Sequence, residues 1–374
     1  MADDVKTLEQ RRLELLRRRI AERGLAARES VELVRICAGE RYRLSPGQRR
    51  MWFLQAMDTS DVTLNICVAY RLTGALDEAR LRAAFNQVVA RHAILRTTYA
   101  VDTEGEPYQV FSDGVEIGWR TDDLTHLSEE DRDRRVQALA RDEFGRSFDL
   151  TEELTLRTTL IRSGPDEFVL FFVVHHICWD DDSWAVFFGE LSAAYNGLQL
   201  NSRAPQFVSV AVLGNEAEPA SADVGYWADT LRPSPDPLEL PGAAAVHPSR
   251  QADRRARALP AGLFGRVEDF ARDRSASPFM VLLAAFGVLI RRYTGAADFV
   301  ISVPVTGRSA PAEGAIGYFG NTLLLRIVVR PHDTFTSFVD AVRETCFAGF
   351  AHQSVGIDRV VREANPERAG LLHG

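Results

Sequence analysis

Residues 168–174 read FVLFFVV, a run apolar on both faces of any strand it forms. Such a run belongs in the interior of a sheet covered on both sides, which requires layers of helix above and below it. A strand over 154–162 precedes it across the turn Ser163-Gly164-Pro165-Asp166. The run ends in HHICWDDDS, residues 175–183, and a helix is expected from Ser183 to Tyr195. Neighbours along a strand point to opposite faces, so His175 and His176 are not expected to share one role. A buried strand that ends in ionisable groups is a frequent active-site arrangement. A pair of structurally satisfied histidines fits the same pattern. A metal site using a histidine with Asp180, Asp181 or Asp182 lacks a third and fourth ligand at a recognisable spacing. Nothing in the sequence marks Cys178 as an activated thiolate. A neutral imidazole can take a proton from an attacking amine or hydroxyl, and Asp180 is placed to hold the turn by pairing with an arginine.

The rest of the chain mixes strands and helices, so the fold class is α/β or mixed α+β. Residues 5–24 have amphipathic helical spacing and end at Gly24, which suggests a solvated leader or a docking segment over 1–30. Ser45-Pro46 reads as a helix start. Strands are expected over 65–72 and 94–99, and helices over 77–92 and 127–143. The irregular stretch 197–222 is the best boundary, which divides the chain into a first lobe, 40–205, and a second, 206–374. In the second lobe, helices are expected over 226–231, 261–273, 278–293, 335–350 and 357–364. Strands are expected over 299–303 and 323–329, and an extended loop over 232–250.

Composition narrows the function classes. The chain has 374 residues, 46% of them hydrophobic, enough for two lobes with their own cores. A net charge of -8, with no long basic block beyond the first helix, argues against nucleic acid as a partner. Four separated cysteines without a CxxC pair fit neither a zinc site nor a disulfide framework. With no signal-like start and no run of 18 apolar residues, a cytoplasmic protein is expected.

HHICWDDDS resembles the HHxxxDGxS signature of nonribosomal peptide synthetase condensation domains, which have the chloramphenicol-acetyltransferase-like fold. Further motifs of that family occur in order: LSPGQRRMWFL at 44–54, RHAILRTTY at 91–99, PVTGR at 304–308, IGYFGNTLLLR at 316–326 and HQSVGIDRVV at 352–361. The resemblance covers about residues 42–370. It implies two lobes in a V around a tunnel. Donor and acceptor peptidyl carrier proteins would bring phosphopantetheine-borne thioesters to that tunnel, with adjacent synthetase domains as further partners. It implies no cofactor and no metal held by the domain itself. It assigns the chemistry to His176 and a structural role to His175. It pairs Asp180 with an arginine, for which Arg308 is the candidate, and it places Asp181, Ser183 and Asn321 in site or tunnel motifs. Thioester aminolysis is downhill, so orientation worth ~7–11 kcal/mol and one histidine worth ~10²–10⁴-fold would suffice.

The sequence departs from the family in three places. The signature glycine is Asp181, which adds a side chain and a negative charge near the imidazole. Non-catalytic relatives that recruit oxygenases share such a second aspartate but have an HRxxxDD-like form, whereas this chain keeps both histidines. The fourth motif, usually YxDFAxW, is replaced by FVSVAVLGNE at 207–216. The chain ends at Gly374, where the family usually runs several tens of residues further, so an incomplete second lobe is expected. The resemblance thus implies amide-bond formation, or alternatively a platform of the same fold that binds carriers or recruits a tailoring enzyme. Cyclisation relatives usually carry aspartates where this chain has histidines. Epimerisation relatives share the signature, but LSPGQRRMWFL and Asn65-Ile66 look more like condensation domains with an L-configured donor.

Overall fold

The computed structural model describes residues 35–200, 203–213, 220–241, 255–308 and 312–364. The leader over 1–30 therefore lies outside the described residues, as does 242–250 of the expected loop. The chain divides into two compact units, separated at 218/219, with Thr306–Gly320 returning to the first. This differs from a single cut at 205/206. Phe207, Val208, Val212 and Ile316 are buried in the first unit's core, so hydrophobic burial draws both segments back to it.

In the first unit the order is β1 (Tyr42–Arg43), α1 (Pro46–Met57), β2 (Asn65–Thr73), α2 (Glu78–Arg91), β3 (Thr97–Val101), β4 (Pro107–Phe111) and β5 (Gly118–Asp123). These are followed by α3 (Glu129–Phe144), β6 (Leu156–Arg162), β7 (Glu167–His175) and α4 (Asp181–Tyr195). One sheet has the order β1-β4-β3 and the other β2-β7-β6-β5. β7 is interior: it runs antiparallel to β2 with His175 opposite Asn65, and antiparallel to β6 with Val174 opposite Leu156. β5 runs parallel to β6, and the chain between them passes through α3, the helical crossover such a pair requires.

Both faces of β7 are covered, as its sequence demands. Phe172 packs against Phe85 of α2 and Phe187 of α4, while Phe171 packs against Phe144 of α3. α1 starts as its sequence indicates. Ser45 Oγ accepts the Gln48 N–H at 3.2 Å and Gln48 Oε1 accepts the Ser45 N–H at 3.1 Å, with Pro46 in the first turn. The strand expected over 94–99 is corrected. Ala93–Arg96 form a 3-10 turn and the strand begins at Thr97. The turn buries Ile94 and Leu95 together in the core, whereas a strand would send one of them outward.

The second unit holds α5 (Ser221–Leu231), α6 (Leu263–Asp273), α7 (Pro278–Thr294), β8 (Asp298–Thr306), β9 (Gly320–Val328), α8 (Phe335–Ala351) and α9 (Ile357–Ala364). β8 and β9 pair, and Trp227, Phe299, Leu325, Val339 and Cys346 are among the residues of its core. Gly349 lets α8 approach β9: a Cβ there would lie 2.7 Å from the Leu325 side chain. Among the described residues no single helix is long and apolar enough to cross a membrane. α6 and α7 together reach that length, but the pair is bent by 102°.

Candidate active site

The two histidines occupy different environments. His175, the last residue of β7, is fully buried. Its Nδ1 accepts the Ile177 N–H at 3.1 Å, so the ring proton sits on Nε2, which faces Gln55 Oε1 at 3.3 Å. Phe148 packs edge-on at 5.8 Å. Burial, with smaller contributions from His176 and Arg157, pushes the His175 pKa down to about 3. Its ring is therefore a neutral structural link between the strand, the following turn and α1.

That environment has a consequence for stability. The unfolded chain takes up this proton near pH 6.5 and the folded chain only near 3, so between these values the unfolded state binds more protons. Stability is expected to fall on acidification from about pH 6.5, with His175 contributing a loss of about 2 kcal/mol by pH 5. Urea unfolding of wild type and His175→Asn across pH 5–7 should show a shallower slope in the variant. Equal slopes would show that the ring titrates alike in both states.

His176 opens a 3-10 turn, His176–Cys178. Its backbone N–H donates to the Leu64 carbonyl at 2.8 Å. The ring lies 2.7 Å from the Trp179 carbonyl through Nδ1. A carbonyl only accepts, so Nδ1 carries a hydrogen, and in the neutral form of the ring the lone pair is on Nε2. The ring is half-buried and meets the Tyr318 ring edge-to-face, with centroids 5.2 Å apart. Cys178 is fully buried and its Sγ lies 3.2 Å from the His175 carbonyl. Burial pushes its thiol up to about 12, which leaves no thiolate to act as a nucleophile near neutral pH.

Asp180 is the N-cap of α4. Its Oδ1 accepts the Ser183 N–H at 3.0 Å and lies 2.6 Å from Arg308 Nη2. Its Oδ2 accepts Arg308 Nε–H at 3.3 Å and the Phe319 N–H at 3.2 Å. Arg308 also donates from Nη1 to the Ala312 and Ala315 carbonyls, and its guanidinium sits 4.4 Å above the Phe319 ring. Asp182 lies 3.3 Å from Arg308 Nε and accepts the Thr306 hydroxyl at 3.0 Å. Ser183 is fully buried, with its Oγ donating to Asp180 and accepting the Gly317 N–H at 3.2 Å. Asp181 is exposed in the first turn of α4, where its charge favours the helix terminus. The segment in the place of the fourth motif packs Phe207 on Phe319, with ring centroids 5.0 Å apart.

Asn321 is the one sequence-predicted site residue outside the first unit. It lies on β9 in the second unit. Its Nδ2 donates to the Gln353 and Val355 carbonyls, and its Oδ1 accepts the Thr322 and Ile357 N–H groups. These bonds fix the turn before α9, so the amide holds backbone rather than presenting free donors to a substrate.

Several residues of the site carry no chemical signature in the sequence. Gln55 is one, because nothing marks its partner. Gln48 is another: it is buried, with Nε2 within 3.3 Å of the Tyr99 hydroxyl and 3.2 Å of Gln109 Oε1. Its capping-box spacing after Ser45 was the one available signal, and it pointed to the helix start alone. Tyr318 is the third. Among the described residues no group of three or more His, Cys, Asp or Glu side chains is arranged to hold a metal ion.

Comparison with known proteins places these features in a family. A family model described as "Condensation domain" matches residues 39–373. The chain is 36% identical over 349 residues to a probable non-canonical nonribosomal peptide synthetase, CymA, of Salinispora arenicola. That match covers 88% of this chain but 4% of the synthetase, so the chain spans a small part of its relative's length. Among solved structures, the first condensation domain of the calcium-dependent antibiotic synthetase, in complex with a substrate analogue, is 26% identical with a TM-score of 0.73. The alignment covers 87% of this chain and 79% of that one. The X-domain from teicoplanin biosynthesis is 28% identical with a TM-score of 0.76, over 89% of this chain and 75% of that one.

Proposed function

We propose that this chain, which belongs to the condensation-domain family, joins a donor acyl or peptidyl thioester to the amine of an acceptor aminoacyl thioester. Both substrates would arrive on phosphopantetheine arms of carrier proteins, within a larger synthetase in the cytoplasm. The acceptor nitrogen attacks the donor carbonyl carbon. The C–N bond forms, the C–S bond breaks, and the donor arm leaves as a thiol that takes up the proton lost by the amine. The observation that carries the reading is the Nδ1–H bond of His176 to the Trp179 carbonyl, which leaves Nε2 able to accept from the amine. His175, Asp180, Ser183 and Arg308 are the scaffold of that imidazole.

A second reading, a platform without chemistry that binds carriers or recruits a tailoring enzyme, draws on Asp181. Asp181 is exposed in the first turn of α4, while the Trp179–His176 bond is intact, which favours the catalytic reading. The two separate in one experiment: two loaded carrier proteins are mixed with native chain or with Asp181→Gly, and product is followed by mass spectrometry. Product from the native chain, at a rate within about tenfold of the glycine variant, is expected; a tenfold change corresponds to 1.4 kcal/mol of barrier. Product from the variant alone would make the native chain a platform.

A further inference from the structure

We infer that Tyr318 is a positioning residue for His176, seated in a slot that two glycines keep open. The kinetic part of this inference rests on the proposed condensation chemistry; the structural part does not. Among the described residues the His176 ring has one hydrogen-bond anchor, Nδ1 to the Trp179 carbonyl at 2.7 Å. A single bond leaves the ring free to rock about its own Cβ–Cγ axis. Tyr318 supplies the second restraint, an edge-to-face contact at 5.2 Å and 86°.

The sequence around Tyr318 accommodates this contact. A Cβ on Gly47 would lie 2.6 Å from the Tyr318 ring, and a Cβ on Gly320 would lie 3.0 Å from it. Gly317 has φ 156°, and a Cβ there would lie 2.2 Å from Phe207 Cδ2. Gly47 and Gly320 admit no side chain without moving the tyrosine ring, and Gly317 admits none without moving Phe207. The backbone is pinned on both sides, by the Gly317 N–H on Ser183 Oγ at 3.2 Å and the Phe319 N–H on Asp180 Oδ2 at 3.2 Å. The ring's far end is held too, because Arg50 Nη2 donates to the Tyr318 hydroxyl at 3.3 Å. The ion pair beneath α4 and the ring beside His176 are thus parts of one brace. Tyr318 touches the imidazole, and through that contact it limits the orientations of Nε2.

The test uses the full chain with histidine rings labelled in carbon-13, the His176 signal being assigned by its loss in His176→Asn. In Tyr318→Leu the His176 ring resonance is expected to shift and broaden, and in Tyr318→Phe to stay near its wild-type position. With loaded carriers, Tyr318→Leu is expected to lower kcat about three- to tenfold with KM for the acceptor carrier nearly unchanged. Tyr318→Phe should restore most of kcat. Should the leucine variant not fold, Tyr318→Met carries the same readings. An unmoved His176 resonance in the leucine or methionine variant overturns the inference, as does a rise in KM at constant kcat. If wild type forms no product, the condensation reading fails while the ring spectra still decide the role of Tyr318.

Discussion

His176→Ala is expected to lower kcat for amide formation by about 10²–10⁴-fold, the range for loss of one general base. Unfolding stability should change far less, because the ring is half-buried and, among the described residues, its side chain makes one hydrogen bond, to the Trp179 carbonyl. The residual rate should remain well above that of free thioester and amine, since orientation of two tethered reactants does not depend on the imidazole. Single-turnover kinetics with two loaded carriers, alongside a urea melt of the same sample, separates the two effects. An unchanged rate would remove His176 from the chemistry. The contrast with His175 is built into the geometry: its buried ring bonds to the Ile177 amide and to Gln55, so its replacement should register in stability.

Arg308→Ala should give the largest loss of stability, about 3–5 kcal/mol, the usual cost of removing one partner from a buried pair. The Asp180 residue is only 8% exposed, and the substitution would leave its carboxylate without a cation next to it. The same change frees the Ala312 and Ala315 carbonyls and removes the cation from the face of Phe319. Asp180→Asn combined with Arg308→Met should cost less than the sum of the two single changes, because no buried charge then remains. Urea unfolding of Asp180→Asn, Arg308→Met, the double variant and wild type completes the cycle. A loss below about 1 kcal/mol for Arg308→Ala would mean that the pair behaves like a solvent-screened surface bridge.

Much of this candidate site is legible in the sequence, for a reason visible in β7. An interior strand has no freedom in its pattern, so FVLFFVV announced a covered sheet and located the histidines at its end. One helix start was equally plain, at Ser45-Pro46, whereas α4 starts at Asp181 with Asp180 as its N-cap, two residues ahead of the expected Ser183. Edge elements were not. β5, reading GWRTDD, is largely solvent-facing and its strand character comes from pairing with β6, which no local pattern reveals. Tyr318 escaped for a similar reason. Its role depends on Gly47, more than 250 residues away, leaving room for a ring. The polarity of Asn321 drew attention to a residue whose bonds all close on backbone.

The return of Thr306–Gly320 to the first unit sets an order of events during synthesis. Translation proceeds from the N-terminus, so β7 and Asp180 emerge from the ribosome well before Arg308 exists. Throughout that interval the N-cap carboxylate waits without its cation, and the slot beside His176 stays empty. The first unit is finished only after most of the second has been made. A cut placed between the units at 218/219 would therefore yield a first piece that lacks both its arginine and its tyrosine, whereas an excision carried through residue 320 keeps the site whole.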